Sequence, residues 1–184
     1  NKESFHRYVE STIFSTIKNY NMIPKNKKIG IGFSGGKDST LLVLVISKLK
    51  MKIKGLKIFA YTLEGWGLEH KNTFSYPKKI TKELKIQHKI IMQRDIEKIF
   101  NLNTTFQSFF RYLNESKEIK RNEKTLVLAQ MQRRAVEYFA EKDKIKALFF
   151  GLNKEDLMSE IILTYTTGHK SSSLPVRGVG SFTY

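Results

Sequence analysis

The chain has 184 residues, of which 40% are hydrophobic and 12% aromatic, enough to bury the core of one globular domain. It carries 33 lysines and arginines against 17 acids, a net charge of +16, and it contains no cysteine. These residues therefore exclude disulfides, thiolate metal sites and thiol nucleophiles, and no apolar run approaches the roughly 20 residues of a membrane span.

The first part of the chain predicts a helix, a strand and a second helix. Apolar side chains recur at near-helical spacing over residues 5–20, and a Pro-Lys-Asn-Lys turn over 24–27 ends that helix. The β-branched run over 28–33 predicts the first strand, and residues 38–50 predict the next helix. Between them lies the junction Ser34-Gly35-Gly36-Lys37-Asp38-Ser39.

This junction has the features of a phosphate-binding turn. Its glycines let the backbone approach an anion closely, and the first free N–H groups of the following helix face the same place. Lys37 adds a positive charge, and Ser34 and Ser39 add hydroxyl donors. The sequence therefore predicts that the chain binds a nucleotide.

The rest of the chain continues the alternation of strands and helices. The pattern predicts strands at 56–63, 86–92 and 146–150, and helices at 74–84, 124–142 and 154–166. We expect an α/β fold, a doubly wound parallel sheet with flanking helices, in one domain over residues 1–184. Residues 95–122 are interpreted as an inserted arm, with ordinary packing favoured over base stacking for their aromatic side chains. In such a sheet the ligand lies at the carboxyl ends of the strands, where the junction falls.

Two common phosphate loops fit the junction poorly. The nucleotide-hydrolase loop needs a glycine where Ile31 stands and a Ser or Thr where Asp38 stands. The dinucleotide fingerprint fits Gly30-Ile31-Gly32-Phe33-Ser34-Gly35 formally. However, its acidic residue would be Glu64, which comes late, and two of its glycines fall inside the predicted strand.

The junction, followed by Thr40-Leu41-Leu42, resembles the pyrophosphatase loop of the PP-loop ATP pyrophosphatases, which belong to the adenine nucleotide α-hydrolase-like superfamily. The resemblance implies that the loop holds the β- and γ-phosphates of ATP, and that cleavage between the α- and β-phosphates gives an adenylated substrate and pyrophosphate. It implies ATP and Mg²⁺ as cofactors and catalytic roles for Lys37 and Asp38. The ATP-binding residues it implies in the junction are Ser34, Gly35, Gly36, Lys37, Asp38 and Ser39.

A second motif follows the last predicted strand. The segment 151–160, reading GLNKEDLMSE, resembles the G-H-N-x-D-D-x-x-E motif of the tRNA-modifying PP-loop enzymes, although Leu152 and Glu155 depart from it. The resemblance implies that Gly151 and Asn153 bind ATP, and that Asp156 is catalytic and shares Mg²⁺ with Asp38. From the residues alone, Asn153 is equally a helix N-cap.

Two further stretches resemble the thiolating branch of that group, with departures. Arg133-Arg134 matches the end of its C-x-x-C-x-x-x-R-R stretch and implies contact with AMP or RNA, a structural role for one arginine being an equal alternative. The cysteine positions hold Leu126 and Ala129. The segment 63–66, Leu-Glu-Gly-Trp, matches a D-E-G turn with leucine in place of the aspartate.

We therefore expect an ATP-dependent enzyme that adenylates a pyrimidine carbonyl of tRNA before sulfur or amine transfer, of the thiolation or lysidine type. The positive charge favours an RNA partner over a compositional bias towards lysine, and a sulfur-donor protein is a further expected partner. We expect a cytoplasmic protein without membrane contact, and a homodimer stays open. The chain is expected to be either a fragment of a longer protein or an ordered core. The alternatives are adenylation of a small molecule, of the amidotransferase or sulfonucleotide type, and a nucleotide-binding module that has lost catalysis.

Overall fold

The computed structural model describes residues 2–65 and 74–167. The chain forms two compact units: one comprises residues 28–151, and the other comprises the terminal segments 1–27 and 152–184. The prediction of a single domain over residues 1–184 stays a prediction.

A four-stranded parallel sheet forms the centre of the unit 28–151. Its strands have the order β3-β2-β1-β4, so β1 lies between β2 and β4 and the chain winds outward from it in both directions. Gly32, the last residue of β1, lies beside Tyr61 on one neighbour and Phe150 on the other. The predicted α/β fold with a parallel, doubly wound sheet is confirmed. The strands are β1 (Lys28–Gly32), β2 (Lys57–Leu63), β3 (Gln87–Ile91) and β4 (Ala147–Phe150).

Five helices in the described part of this unit connect and flank the strands. The predicted helices around the sheet are present, with ends that differ from the expected bounds by at most three residues. The segment 95–122 contains most of one helix and all of a second. Phe106 within it is 1% exposed in the main core, which confirms ordinary packing for this aromatic side chain, and the interpretation of the segment as an inserted arm stays a prediction. The helices are α2 (Lys37–Lys52), α3 (Ser75–Glu83), α4 (Gln93–Ile99), α5 (Phe106–Glu115) and α6 (Arg121–Lys142).

The core of this unit follows from strands that are covered on both faces. Ile29 and Ile31 of β1 are fully buried, as are Ala60 and Tyr61 of β2, which is typical of a parallel sheet with helices on both sides. Gly32 of β1 is a packing residue, because a β-carbon there would lie 2.6 Å from the Phe150 ring. This contact accounts for a glycine inside a strand and removes it from any dinucleotide fingerprint.

The terminal unit contains α1 (Lys2–Asn19) and α7 (Lys154–Thr167) among its described residues. After α1 the backbone N–H of Met22 donates to the Ile17 carbonyl at 3.0 Å, and Asn21 adopts a φ of 49°, so the helix ends in a left-handed turn. In the described ranges 2–65 and 74–167, no helix combines the length and the apolar character that crossing a bilayer requires.

Candidate functional site

The predicted phosphate-binding junction lies at the switch point of the sheet. It follows β1, the strand from which the chain winds in both directions, and the end of the neighbouring β4 lies beside it. In open parallel sheets this crevice at the carboxyl ends of the strands is where ligands bind.

Gly35 gives the junction its turn. Its φ of +84° lies in the left-handed region, which residues with a β-carbon adopt only at a cost of about 1–2 kcal/mol. A β-carbon at this position would also lie 3.0 Å from Cγ of Pro77, in the first turn of α3. Conformation and space thus both require glycine at position 35.

The two serines of the junction bond to each other across the turn. The Ser34 and Ser39 hydroxyls lie 3.0 Å apart, and the Ser39 hydroxyl donates to the Gly36 carbonyl at 3.1 Å. Since Ser39 has a single hydroxyl proton, Ser34 is the donor in the pair. The Gly36 N–H donates to the Ser34 hydroxyl at 3.3 Å. These bonds fold the loop back on the start of α2.

The N-terminus of α2 is arranged to receive an anion. Its N-cap is Gly36, which has no side chain with which to cap the helix, and the Thr40 N–H makes the first helical bond to the Gly36 carbonyl at 2.9 Å. Lys37, the first helical residue, is exposed, and Asp38 is half-buried. Backbone N–H groups and the positive end of the helix dipole therefore face one place, and the exposed Lys37 side chain starts from the same turn.

Gly151 lies directly against this helix start. It follows β4, and a β-carbon on it would lie 2.7 Å from both the α-carbon and the backbone nitrogen of Ser39. Because these are backbone atoms of the first turn of α2, no side chain fits at position 151. The structure thus brings the first residue of the second motif to the junction, 112 residues away along the sequence.

Two successive side-chain hydrogen bonds hold the backbone carbonyl of Phe33, the residue before the junction. The Thr62 hydroxyl, 1% exposed on β2, donates to the Phe33 carbonyl at 2.7 Å. His88 Nε2 of β3 lies 2.8 Å from the same hydroxyl. Since the threonine proton is used, the histidine Nε2–H is the donor. Burial, and secondarily the charge of Lys78, lowers the pKa of His88 below its ordinary value.

The remaining part of the second motif belongs to the terminal unit and forms a helix cap. The Asp156 N–H donates to Asn153 Oδ1 at 2.8 Å, and the Asn153 N–H donates to Asp156 Oδ2 at 3.1 Å. This is a reciprocal capping box at the start of α7. The N-cap interpretation of Asn153 is confirmed, and the roles of Asn153 and Asp156 towards ATP and Mg²⁺ stay predictions.

The two arginines of α6 differ in their surroundings. Arg134 Nη1 donates to Glu141 Oε1 at 3.1 Å and lies 3.6 Å from Glu137, and its pKa is raised mainly by the bond to Glu141. Arg134 therefore has acidic partners on its own helix, and its contact with AMP or RNA stays a prediction. Arg133 is half-buried. Leu126 and Ala129, at the cysteine positions of the resembling motif, lie on the same helix.

The segment that follows β2 is described only up to residue 65. The Glu64 N–H donates to the Ile91 carbonyl at 2.8 Å and prolongs the pairing of β2 with β3. Gln93 Nε2 donates to the Gly65 carbonyl at 3.3 Å. Trp66, the last residue of the predicted turn, lies outside the described residues.

The donors at the junction fit the phosphates of a nucleotide. A bare helix N-terminus, two glycine positions that admit no β-carbon, and the Lys37 ammonium form a cradle of positive character. Across the described ranges, no group of three or more histidine, aspartate or glutamate side chains could enclose a metal ion.

Pro77, Thr62 and His88 support the site but were not identified from the sequence. Pro77 of α3 lies against Gly35, Thr62 of β2 bonds to the Phe33 carbonyl before the junction, and His88 of β3 bonds to Thr62. No local sequence pattern marks any of the three, and only the strand order, with β2 beside β1 and β3 beside β2, could have suggested Thr62 and His88.

The sequence matches the PP-loop domain family over residues 7–175. It is 25% identical over 169 residues to cytoplasmic tRNA 2-thiolation protein 1 of Dictyostelium discoideum, which covers 91% of this chain. It is 39% identical over 59 residues, 32% of this chain, to the tRNA-5-methyluridine(54) 2-sulfurtransferase of Thermotoga maritima. The chain spans 44% of the first protein and 19% of the second.

Two solved structures share the fold. The U34-tRNA thiolase NcsA of Methanococcus maripaludis, determined with its 4Fe–4S cluster, superposes with a TM-score of 0.71 at 20% identity, over 91% of this chain and 52% of that one. The NH3-dependent NAD synthetase of Campylobacter jejuni gives 0.52 at 16% identity, over 85% of this chain and 59% of that one. The present 184 residues contain no cysteine, so they do not fit a cluster held by cysteine thiolates.

Proposed function

The chain belongs to the PP-loop domain family, and from this premise we propose that it uses ATP to adenylate a pyrimidine carbonyl of tRNA for replacement of the oxygen by sulfur. The names of the tRNA-thiolating relatives support the substrate and favour sulfur over an amine. The observation that carries the proposal is the uncapped start of α2, with Gly35 on one side and Gly151 on the other.

In the first step the carbonyl oxygen of the base attacks the α-phosphorus of ATP. The bond between that phosphorus and the bridging oxygen to the β-phosphate breaks, and pyrophosphate leaves. Negative charge grows on the leaving pyrophosphate, where the Lys37 ammonium and the N–H groups of the first turn of α2 lie in this arrangement. Positioning and charge stabilisation supply most of the rate, so the step requires no nucleophilic side chain.

In the second step sulfur at the oxidation level of sulfide attacks the activated ring carbon. The carbon–oxygen bond breaks, AMP leaves with the former carbonyl oxygen, and the base retains a carbon–sulfur double bond. Oxidation states are unchanged. These residues hold no thiol, so the sulfur is delivered as free sulfide or by a sulfur-donor protein.

Mg²⁺ would neutralise charge on the phosphates. Asp38 is the carboxylate closest in sequence to the phosphate-binding turn, and we propose it as the protein ligand. Asp156 stays a second predicted ligand, and Arg133 a predicted contact of AMP or RNA. Arg134 is the weaker candidate because it is paired with Glu137 and Glu141.

The test is release of pyrophosphate from ATP and Mg²⁺, measured with and without bulk tRNA. We expect release that depends on tRNA, and with sulfide added we expect mass spectrometry of the digested tRNA to show a pyrimidine in which sulfur replaces oxygen. Lys37→Ala should reduce release by roughly 100-fold or more, the scale of one lost charge-stabilising donor. Lys98→Ala, an exposed lysine on α4, is the matched control and should retain full release.

The other outcomes separate the alternatives. Release that is independent of tRNA would favour a small-molecule substrate, and an adduct with an amine would favour chemistry of the lysidine type. ATP binding without release under any of these conditions would point to a nucleotide-binding module. Unchanged release in Lys37→Ala would refute the assignment of the loop.

A further inference from the structure

Lysines are concentrated at the amino-terminal edge of the sheet, opposite the phosphate-binding junction. All four strands are parallel, so the three connections that lead from a helix into β2, β3 or β4 lie along this one edge. Exposed lysines occupy each of these connections, and we call this surface the basic edge. It comprises Lys54 and Lys57 before and at the start of β2, Lys82 and Lys85 before β3, and Lys144 and Lys146 before β4.

The acids of the basic edge cancel little of this charge. Asp143, between α6 and β4, accepts from Lys89 at 3.2 Å and from the Tyr61 hydroxyl at 2.8 Å, so its charge is balanced from within the fold. Glu141 bonds to Arg134 of its own helix at 3.1 Å. Glu83 is the other acid of these connections, set among the exposed lysines.

The opposite edge of the sheet, at the carboxyl ends of the strands, has no such excess of cations over acids. Among its described residues, the first turns and connections after β1, β2 and β3 carry three cations, Lys37, Lys78 and Arg94, and three acids, Asp38, Glu64 and Asp95. A general compositional bias towards lysine would load both edges alike. The charge is therefore segregated, and the segregation needs its own explanation.

The dipoles of the helices explain only part of this segregation of charge. A cation in the last turn of a helix is stabilised by the negative end of the dipole, and this accounts for Lys82. The effect falls off within the last turn, so it does not account for Lys57 or Lys146, which lie beyond the helices. Lysines on neighbouring connections repel one another, and a polyanion offsets that cost.

We propose that the basic edge binds the phosphate backbone of RNA, at a surface separate from the phosphate-binding junction. Strands of five residues at about 3.3 Å per residue separate the two edges by roughly 16 Å, so one folded RNA can contact both. Lysine is depleted at protein–protein interfaces and common in phosphate contacts, which favours RNA over an acidic protein. The choice of RNA rests on the proposed function, whereas the position of the surface does not.

The experiment compares two triple variants of equal charge loss for their binding to a fluorescently labelled, unmodified tRNA transcript at several salt concentrations. The test variant, Lys57→Gln with Lys82→Gln and Lys146→Gln, removes one lysine from each connection. The control variant, Lys98→Gln with Arg111→Gln and Lys117→Gln, removes three exposed cations from α4, α5 and the residues after α5. Circular dichroism and ATP binding verify that both variants are folded.

We expect the test variant to bind the transcript at least roughly tenfold more weakly at moderate salt, with the slope of log K against log salt reduced by about 2 to 3. In the control variant, the slope of log K against log salt should change by less than about a third as much. Equal losses in both variants would overturn the proposal, because net charge alone would then govern binding. So would failure of the unmodified protein to bind the transcript, or displacement of the transcript by polyglutamate as effectively as by RNA of equal charge.

Failure of this proposal is distinguishable from failure of the proposed function. If tRNA-dependent pyrophosphate release stands while both variants bind alike, the basic edge fails alone. If the test variant loses binding while no pyrophosphate is released, the adenylation chemistry fails and the RNA surface stands.

Discussion

Gly151 and Ser39 are in backbone contact, although 112 residues separate them in the sequence. A β-carbon on Gly151 would lie 2.7 Å from the α-carbon of Ser39, closer than real β-carbons approach other atoms. The end of β4 therefore fixes the position of the first turn of α2, whose N–H groups form the candidate phosphate site. The first residue of the second motif thus packs against the backbone of the first motif.

Gly151→Ala should destabilise the protein and weaken nucleotide binding together. The new methyl group meets backbone that cannot rotate away, so we expect a loss of about 1–3 kcal/mol and a displaced start of α2. Thermal unfolding and titration with an ATP analogue measure the two effects. Gly36→Ala is the comparison for stability, since its β-carbon would meet only the Ser34 hydroxyl at 3.4 Å. A Gly151→Ala protein as stable as the unmodified one would contradict the contact.

Most of the sheet was predictable because its strands carry a local signal. Three of the four are short, largely apolar runs, β3 adds two isoleucines after polar residues, and the predicted bounds of all four fall within one residue of those observed. The segment 95–122 was predictable only in part. Its apolar residues become a core only when Phe106 packs with Ile96 of α4 and Val136 of α6, which is information about tertiary structure.

The site was predictable to the extent that it is contiguous. The glycines and Lys37 lie in one turn, where the physics of anion binding is local. The contacts that fix the turn, from Pro77, Thr62 and Gly151, come from three other parts of the chain. The N-cap signal of Thr105 before α5, which accepts from the Ser108 N–H at 3.2 Å, was present in the sequence and could have predicted that helix.

Asp156→Asn separates a chemical role of Asp156 from its role in the capping box. Asparagine retains an oxygen that can accept from the Asn153 N–H, so the start of α7 should lose little stability. If Asp156 binds Mg²⁺, removing its charge should lower pyrophosphate release by about tenfold or more and raise the Mg²⁺ concentration needed for half-maximal release. Release assays across Mg²⁺ concentrations and thermal unfolding provide the two measurements.

Asn153→Ala is the matched variant, because it removes the oxygen that accepts from the Asp156 N–H. It should cost about 0.5–2 kcal/mol of stability, while Asn153→Ser, which keeps a capping oxygen, should recover most of that loss. Full release in Asp156→Asn with an unchanged Mg²⁺ dependence would leave Asp156 with the capping role alone.

His88 should make the protein less stable as the pH is lowered through a defined window. Its pKa in the folded protein lies below the ordinary value of about 6.5, because burial and the charge of Lys78 disfavour the protonated ring. Well above the ordinary value of about 6.5, the His88 ring is neutral in both the folded and the unfolded protein and contributes no pH dependence. As pH falls below about 6.5, the unfolded chain takes up the proton first and stability declines, until the pH passes the folded pKa. Urea unfolding midpoints between pH 8 and pH 5, roughly the span over which histidines titrate, measure the decline.

His88→Gln provides the control, since its side-chain amide can donate to the Thr62 hydroxyl without titrating. The difference in midpoint between the two proteins should vary over the window, because groups common to both cancel. Parallel curves across the whole range would show that His88 is protonated as readily in the folded protein as in the unfolded chain.

Asp143 and Tyr61 should prove energetically coupled. The Tyr61 hydroxyl, on a fully buried residue, donates to Asp143 Oδ2 at 2.8 Å, and Lys89 donates to both oxygens of the same carboxylate at 3.2 Å. Burial first, then the bond to Asp143 and its negative charge, raise the pKa of Tyr61 above its ordinary range, so the hydroxyl stays a donor at every pH at which the protein is studied.

Asp143→Ala leaves that buried hydroxyl without its acceptor, which costs about 1–3 kcal/mol of unfolding free energy. The loss of the partly exposed ion pair with Lys89 adds a smaller cost. A Tyr61→Phe protein has no hydroxyl at this position that could lose its acceptor. Asp143→Ala should therefore lower its free energy of unfolding by measurably less. The double-mutant cycle, built from unfolding free energies of the four proteins, should give a coupling of about 0.5–3 kcal/mol. Additive substitutions would show instead that Lys89 alone holds the carboxylate, and that the tyrosine contributes by packing.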